Sequence, residues 1–248
     1  MKKYVVFSLA MVLFCTLNAQ DAGQHNPLPE GFKSLFNGKD FTNWIVPPGD
    51  GGHWKVVDGV IDYDAMSEAE DKNLWSAREY RDFILYADWR IKSTPYKNHR
   101  VPIVLPDGSH KLDENGNEIM ITVSDSDSGI YLRGSSKSQV NIWCWPVGSG
   151  EVYGYRMDPD MPDSVRRAVT PLLHADHHIG EWNTFRIELK GNLLTVDLNG
   201  HRVIDRATLP GLPEEGRIAL QHHGSRGEGV WISPPSLVQF RNIRIREL

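Results

Sequence analysis

The side chains of this chain best suited to chemistry form no charged cluster; they are planar amides, guanidiniums, imidazoles and aromatic rings spaced two residues apart. Asp88 and Arg90 sit between Ala87, Trp89 and Ile91, and Tyr131 and Arg133 flank Leu132. Gln139, Asn141, Trp143 and Trp145 are separated by Val140, Ile142 and Cys144, while Gln221 and His223 follow Ile218 and Leu220. Successive side chains of an extended strand point to opposite faces, so each polar or aromatic set shares one face while its neighbours fill an interior. A merely solvated face favours Lys, Glu and Thr. This mixture instead suits a neutral, hydroxyl-rich ligand, whose C–H faces stack on rings while fixed amides and guanidiniums satisfy hydroxyls in pairs. The competing reading, in which the rings form a second core layer and the polar groups pair beneath a loop, stays open. Cys144 reads as a small buried hydrophobe.

The elements that must position these residues are strands. Alternation runs through 53–61, 83–91, 129–133, 139–145, 185–189, 193–198, 217–221 and 238–245. Asp58-Gly59, Asp107-Gly108, Asn115-Gly116, Gly191-Asn192 and Asn199-Gly200 supply turn signals between them. One short helix is expected around 163–168, capped by Asp163 or Ser164. Residues 96–128 read as an inserted hairpin, the kind of decoration that flanks a ligand site on a rigid scaffold. The fold class is all-β: a sandwich of two antiparallel sheets in a single domain over 31–248.

Residues 1–19 read as a secretory signal, with Lys2 and Lys3 ahead of an apolar run and Leu17-Asn18-Ala19 as cleavage site. Residues 20–30 form a polar leader, and export to the periplasm or cell envelope is expected; lipidation at Cys15 is disfavoured by the bulky Phe14 before it. No later segment is apolar enough for a membrane helix. Of the two cysteines only Cys144 lies beyond the leader, so no internal disulfide is expected. A net charge of -5 offers no basic stripe for nucleic acid. Oligomeric state is not legible. No cofactor is assigned: Asp113 to Glu118 reads as a turn, and His174, Asp176, His177 and His178 as a solvated loop. A divalent metal such as calcium, near Asp125 and Asp127, stays open.

Taken in order, Gly31-Phe32-Lys33-Ser34-Leu35-Phe36-Asn37-Gly38-Lys39-Asp40 with Trp44, Tyr80-Arg81-Asp82-Phe83, Asp127-Ser128-Gly129-Ile130-Tyr131-Leu132-Arg133-Gly134, Gly180-Glu181-Trp182-Asn183, Leu198-Asn199-Gly200 and Phe240-Arg241-Asn242-Ile243 resemble the 3-keto-disaccharide hydrolase family. The resemblance implies a concanavalin A-like jelly roll with ligand on the concave sheet, and activity on glycosides already oxidised to a ketone at C3. Many members carry Glu-Val-Gln where this chain has Gln139-Val140-Asn141.

A C3 ketone acidifies the proton on C2, so a base can remove it while the C1 substituent departs, and water then adds back. Such a route needs a base, an acid for the leaving oxygen and a donor for the enolate. His223 and Glu151 are the candidates for base and acid, in either order, with Arg133, Arg90 or Tyr131 toward the enolate. Asp88, Gln139, Asn141, Trp143, Tyr153, Gln221 and His222 complete the expected substrate contacts. A Glu-x-Asp-x-(x)-Glu strand is missing, which disfavours paired-carboxylate glycoside hydrolysis. The alternative is a non-catalytic carbohydrate-binding module using the same face.

Overall fold

Alternation assembles the layers in the computed structural model, which describes residues 30–248; the expected signal and nearly all of the leader lie outside the described residues. In chain order the first strands are β1 (Lys33–Ser34), β2 (Trp44–Ile45), β3 (Trp54–Val57), β4 (Val60–Tyr63), β5 (Leu74–Tyr80) and β6 (Phe83–Ile91). Next come β7 (Tyr96–Pro102), β8 (Met120–Asp125), β9 (Ser128–Leu132) and β10 (Ser135–Ile142), then two short helices, α1 (Tyr153–Arg156) and α2 (Asp163–Ala168). The remaining strands are β11 (Asn183–Lys190), β12 (Leu193–Leu198), β13 (His201–Thr208), β14 (Gly216–Leu220), β15 (Arg226–Gly227), β16 (Val230–Trp231) and β17 (Val238–Glu247).

An eight-stranded antiparallel sheet runs β13-β12-β11-β6-β17-β4-β3, with β1 on β17, and a five-stranded sheet runs β10-β9-β14-β5-β2. Together they make an all-β sandwich of jelly-roll type. Phe83, Leu85, Trp89, Phe185, Ile187 and Phe240 of the larger sheet meet Ile130, Leu132, Val140, Ile142, Ile218 and Leu220 of the smaller in one apolar cluster. Burying such side chains contributes about 1.5–3 kcal/mol each, which supports the fold without a disulfide. Asp58-Gly59 and Asn199-Gly200 close two-residue hairpins with positive φ, the conformation that matches strand twist. The inserted hairpin is β7 paired with β8, extended by the Val104–His110 and Leu112–Glu118 bridges. Helix α2 starts after Pro162, whose φ of -59° sets the chain's entry, and no side chain caps it, unlike the cap expected at Asp163 or Ser164.

Strand parity stops at Arg133. Arg133 and Gly134 both have positive φ and form the β9–β10 turn, so the side chain leaves the face shared by the strand. It is buried among loops instead. Its guanidinium donates to the carbonyls of Arg81 (2.6 Å), Gly191 (2.8 Å) and Pro213 (3.0 Å) and pairs with Asp82 at 2.8 Å. Asp82 in turn accepts the Gly191 amide, so one side chain ties together loops from both sheets. Arg133→Lys cannot serve that fork and leaves buried acceptors unpaired; thermal unfolding is expected to show a loss of about 3 kcal/mol, on the order of 10 °C in Tm. An unchanged Tm would contradict the clamp.

Candidate active site

The outer face of the five-stranded sheet carries a cavity of about 320 Å³. Gln139, Asn141, Trp143, Tyr153, Gln221 and His223 line it, together with Asn98, Asp127 and Trp145. Trp143 and Trp145 stack with centroids 4.1 Å apart and planes 6° from parallel, and Tyr153 meets both edge-on. The Trp143 indole N–H donates to the Gly148 carbonyl at 2.8 Å, and that of Trp145 to Asp125 at 3.1 Å. These rings are therefore fixed before any ligand arrives. Asn98, from the inserted hairpin, donates to the same Asp125 carboxylate at 2.8 Å, which joins the hairpin to the aromatic wall.

The floor is a pair of amides. Gln139 Nε2 donates to Gln221 Oε1 at 2.6 Å and to the Ser128 carbonyl at 3.1 Å, crossing the position of Gly129. A Cβ on Gly129 would lie 2.4 Å from that Nε2, so the glycine is what admits the bridge. The bridge uses Gln139 as a donor and leaves acceptor capacity facing the cavity; the Asn141 amide makes no side-chain hydrogen bond to the described residues. Tyr131 belongs to the same face beside Gln221, and burial raises its phenol above the ordinary value.

Asp127 and His223 supply the titratable groups. Asp127 precedes Gly129 and Tyr131 at the same parity, so β9's own alternation aims it at this face. Asp127 is half-buried at the cavity wall, and desolvation pushes its carboxyl up to about 7 against the opposing pull of His223, with nearby Asp125 adding to the rise. The His223 Nδ1 lies 2.6 Å from the Pro234 carbonyl, which can only accept, so Nδ1 is the donor and, in the neutral ring, Nε2 is the nitrogen that accepts. A carboxyl poised to give a proton and an imidazole nitrogen poised to take one thus share one cavity.

Other expected site residues lie elsewhere. Asp88 and Arg90 face outward on the larger sheet, because β6 belongs to that layer; Asp88 binds Thr184 (2.8 Å) and Asn242 (2.7 Å), and Arg90 binds Gln239 (2.7 Å) over the Trp182 ring. Glu151 is fully buried in an ion pair with Arg156, which donates onward to His110 of the hairpin. Arg133 is held in its turn. His222 points away from the cavity, accepting from Tyr63 at 2.7 Å and donating to the Gly224 carbonyl at 3.1 Å; burial lowers it to about 4 and keeps it neutral. Cys144 faces the opposite side from the tryptophans, its thiol pushed up to about 12 by burial. Among the described residues no three His, Cys, Asp or Glu side chains gather as a metal site; Asp176 accepts the Ser149 amide and His177 meets the Trp182 carbonyl.

Two substitutions separate scaffold from cavity. Glu151→Ala strands a buried guanidinium and is expected to cost about 3–5 kcal/mol in denaturant unfolding. Gly129→Ala displaces the Gln139 amide, so sugar binding followed by calorimetry is expected to weaken about tenfold while the fold persists. Equal binding in that variant would remove the amide pair from the site.

Comparison with known proteins rests on this geometry. No curated protein matches the chain. Two solved structures, both of proteins from Parabacteroides distasonis ATCC 8503 provisionally assigned as glycosyl hydrolases, share the fold. One aligns with a TM-score of 0.56 at 21% identity, covering 96% of this chain and 100% of its own; the other gives 0.54 at 18%, covering 88% and 94%. The family model described as a 3-keto-alpha-glucoside-1,2-lyase-like domain matches residues 31–246, which hold both sheets and the whole cavity, and the chain belongs to that family.

Proposed function

We propose that this protein cleaves 3-keto-glycosides by elimination at C1 and C2 followed by addition of water, with Asp127 and His223 as its acid and base. The observation that carries the reading is the pairing in one cavity of a carboxyl raised to about 7 with an imidazole whose Nε2 is free to accept. Family membership supports the substrate class.

The sugar ring lies against the Trp143–Trp145 stack, and its hydroxyls meet Gln139, Gln221 and Asn141. His223 Nε2 takes the C2 proton, and the electron pair moves onto the C3 oxygen as an enolate. Asn141 N–H and the Tyr131 phenol are the donors nearest that developing charge. As the enolate collapses back to the ketone, C1=C2 forms and the C1–O bond breaks, and the protonated Asp127 gives its proton to the departing oxygen. Water then adds hydroxyl to C1 and a proton to C2, so the net change is hydrolysis. Glu151 takes no part, since Arg156 holds it in the interior.

Asp127 must be protonated to act, so kcat is expected to fall as pH rises through about 7, and that limb disappears with the carboxyl. Asp127→Asn and His223→Ala are each expected to lower aglycone release from a 3-keto-glucoside by at least about 100-fold, with binding retained. Stability falls with pH in the same direction. The folded state holds Asp127 above its ordinary value of 3.8, so folding disfavours the ionised form and stability is lost as pH rises from about 4 through 7. Asp127→Asn removes that penalty, and its Tm is expected to exceed the parent's at pH 8. A parent that binds glycosides without releasing aglycone would instead support the binding-module reading, and full turnover by Asp127→Asn would overturn the acid assigned here.

A further inference from the structure

A second, larger cavity of about 600 Å³ opens on the same outer face, beside the first. Trp75 of β5 forms its wall with Asp71 and Asn73, and Pro47, Glu79, Arg217 and the clamped Arg133 are among the residues that bound the rest. Register explains why the two cavities adjoin. Trp75 pairs with Ala219 of β14, and Ala219 pairs with Tyr131 of β9, so the three stand in one row across the sheet. Ala219 is too small to separate its neighbours, and the two rings meet over it with centroids 6.0 Å apart. Tyr131 therefore stands at the junction, with Gln221 and Asp127 on one side and Trp75 and Asp71 on the other.

The Trp75 ring is built for a contact that the fold itself does not use. Its indole N–H donates to Asp71 at 2.6 Å, and Asp71 is held by the Asn73 backbone (3.0 Å) and side chain (2.9 Å). Asn73 uses its oxygen on the His222 amide at 2.9 Å, which anchors the group to the strand that carries His223. The ring's orientation is thus fixed from the site side while the ring stays partly exposed to the cleft. Glu79 and Arg217 are register partners, both exposed, and neither enters an ion pair among the described residues. They supply an acceptor and a forked donor at the rim. Ligand pockets commonly occupy about 300–1,000 Å³, and each of the two compartments falls within that range.

We propose that the Trp75 cleft is the subsite for the leaving group, and that it takes a hydroxylated ring, either a second sugar or a phenol. The proposal rests on the reading of Asp127 as the acid: the ring held by Trp143 and Trp145 releases its C1 oxygen toward Asp127, and the group on that oxygen passes over Tyr131 onto Trp75. The stacked ring contributes affinity, and Arg217 and Glu79 meet its hydroxyls. A leaving group without a ring reaches only the first cavity.

The test compares the parent, Trp75→Ala and Trp75→Phe on the 3-keto derivatives of methyl glucoside, phenyl glucoside and a glucose disaccharide, with kcat/KM as readout. Trp75→Ala is expected to lose about tenfold or more on the disaccharide, the phenyl glucoside or both, and less than about twofold on the methyl glucoside, with Trp75→Phe recovering most of the loss. A loss confined to the disaccharide identifies a sugar subsite, and one confined to the phenyl glucoside a phenol subsite. Equal losses on all three substrates, or none, overturn the proposal. If the parent releases no aglycone, only the catalytic reading fails; dissociation constants for the unoxidised disaccharide, phenyl glucoside and methyl glucoside, in parent and Trp75→Ala, then decide. A parent that binds neither ring-bearing ligand more tightly than the methyl glucoside, or a variant that weakens all three alike, would also overturn the subsite.

Discussion

Everything in this site follows from one constraint: the sandwich interior takes every second residue of β9, β10 and β14, and whatever stands between must face out together. Ile130, Val140, Ile142, Ile218 and Leu220 are sealed inside. Their burial leaves Tyr131, Gln139, Asn141, Trp143, Gln221 and His223 no other direction. A slip of one residue in any of these strands would exchange core for site, which is why the packing of the interior also holds the register of the cavity. The site thus needs no dedicated scaffold beyond the sheet that carries it.

What the sheet cannot supply is a charged group at the right potential, and that comes from the approach to β9. Asp127 lies two residues ahead of Gly129, where the strand is still entering the layer, and no arginine or lysine among the described residues pairs with it. The nearby imidazole tempers the desolvation without cancelling it. Structural carboxylates in the same protein are treated in the opposite way. Glu151 is buried against Arg156, and Asp82 answers the Arg133 guanidinium. Solvation and partner choice, more than residue type, therefore divide the acids that hold the fold from a carboxyl left without a cation at the cavity wall.

The strand runs and the two faces of β9, β10 and β14 were legible in the sequence because period two is a local property. Features set by long-range assignment were not. Alternation says that Asp88 and Arg90 are outward, yet not that β6 joins the larger sheet, so they stand on the opposite surface. Arg133 lies past the end of its strand, in a turn where parity no longer applies. Glu151 had the right chemistry for an acid, and only the tertiary fold reveals Arg156 beside it. Asp127 was within reach, since the alternation of Gly129 and Tyr131 extends two residues upstream to it. Trp75 was hidden by the register shift between β5 and β14 opposite Arg217 and Ala219, which breaks the alternation of β5.

The β7–β8 hairpin lends its Asn98 to the cavity wall and otherwise stands outside both sheets. It is fastened at its base through Asp125 and farther out through His110 and Arg156. Neither main sheet includes it, although its Gly108 turn packs close against the backbone of α2. Exchanging this one appendage would reshape the wall that Asn98 supplies while both main sheets keep their strand order.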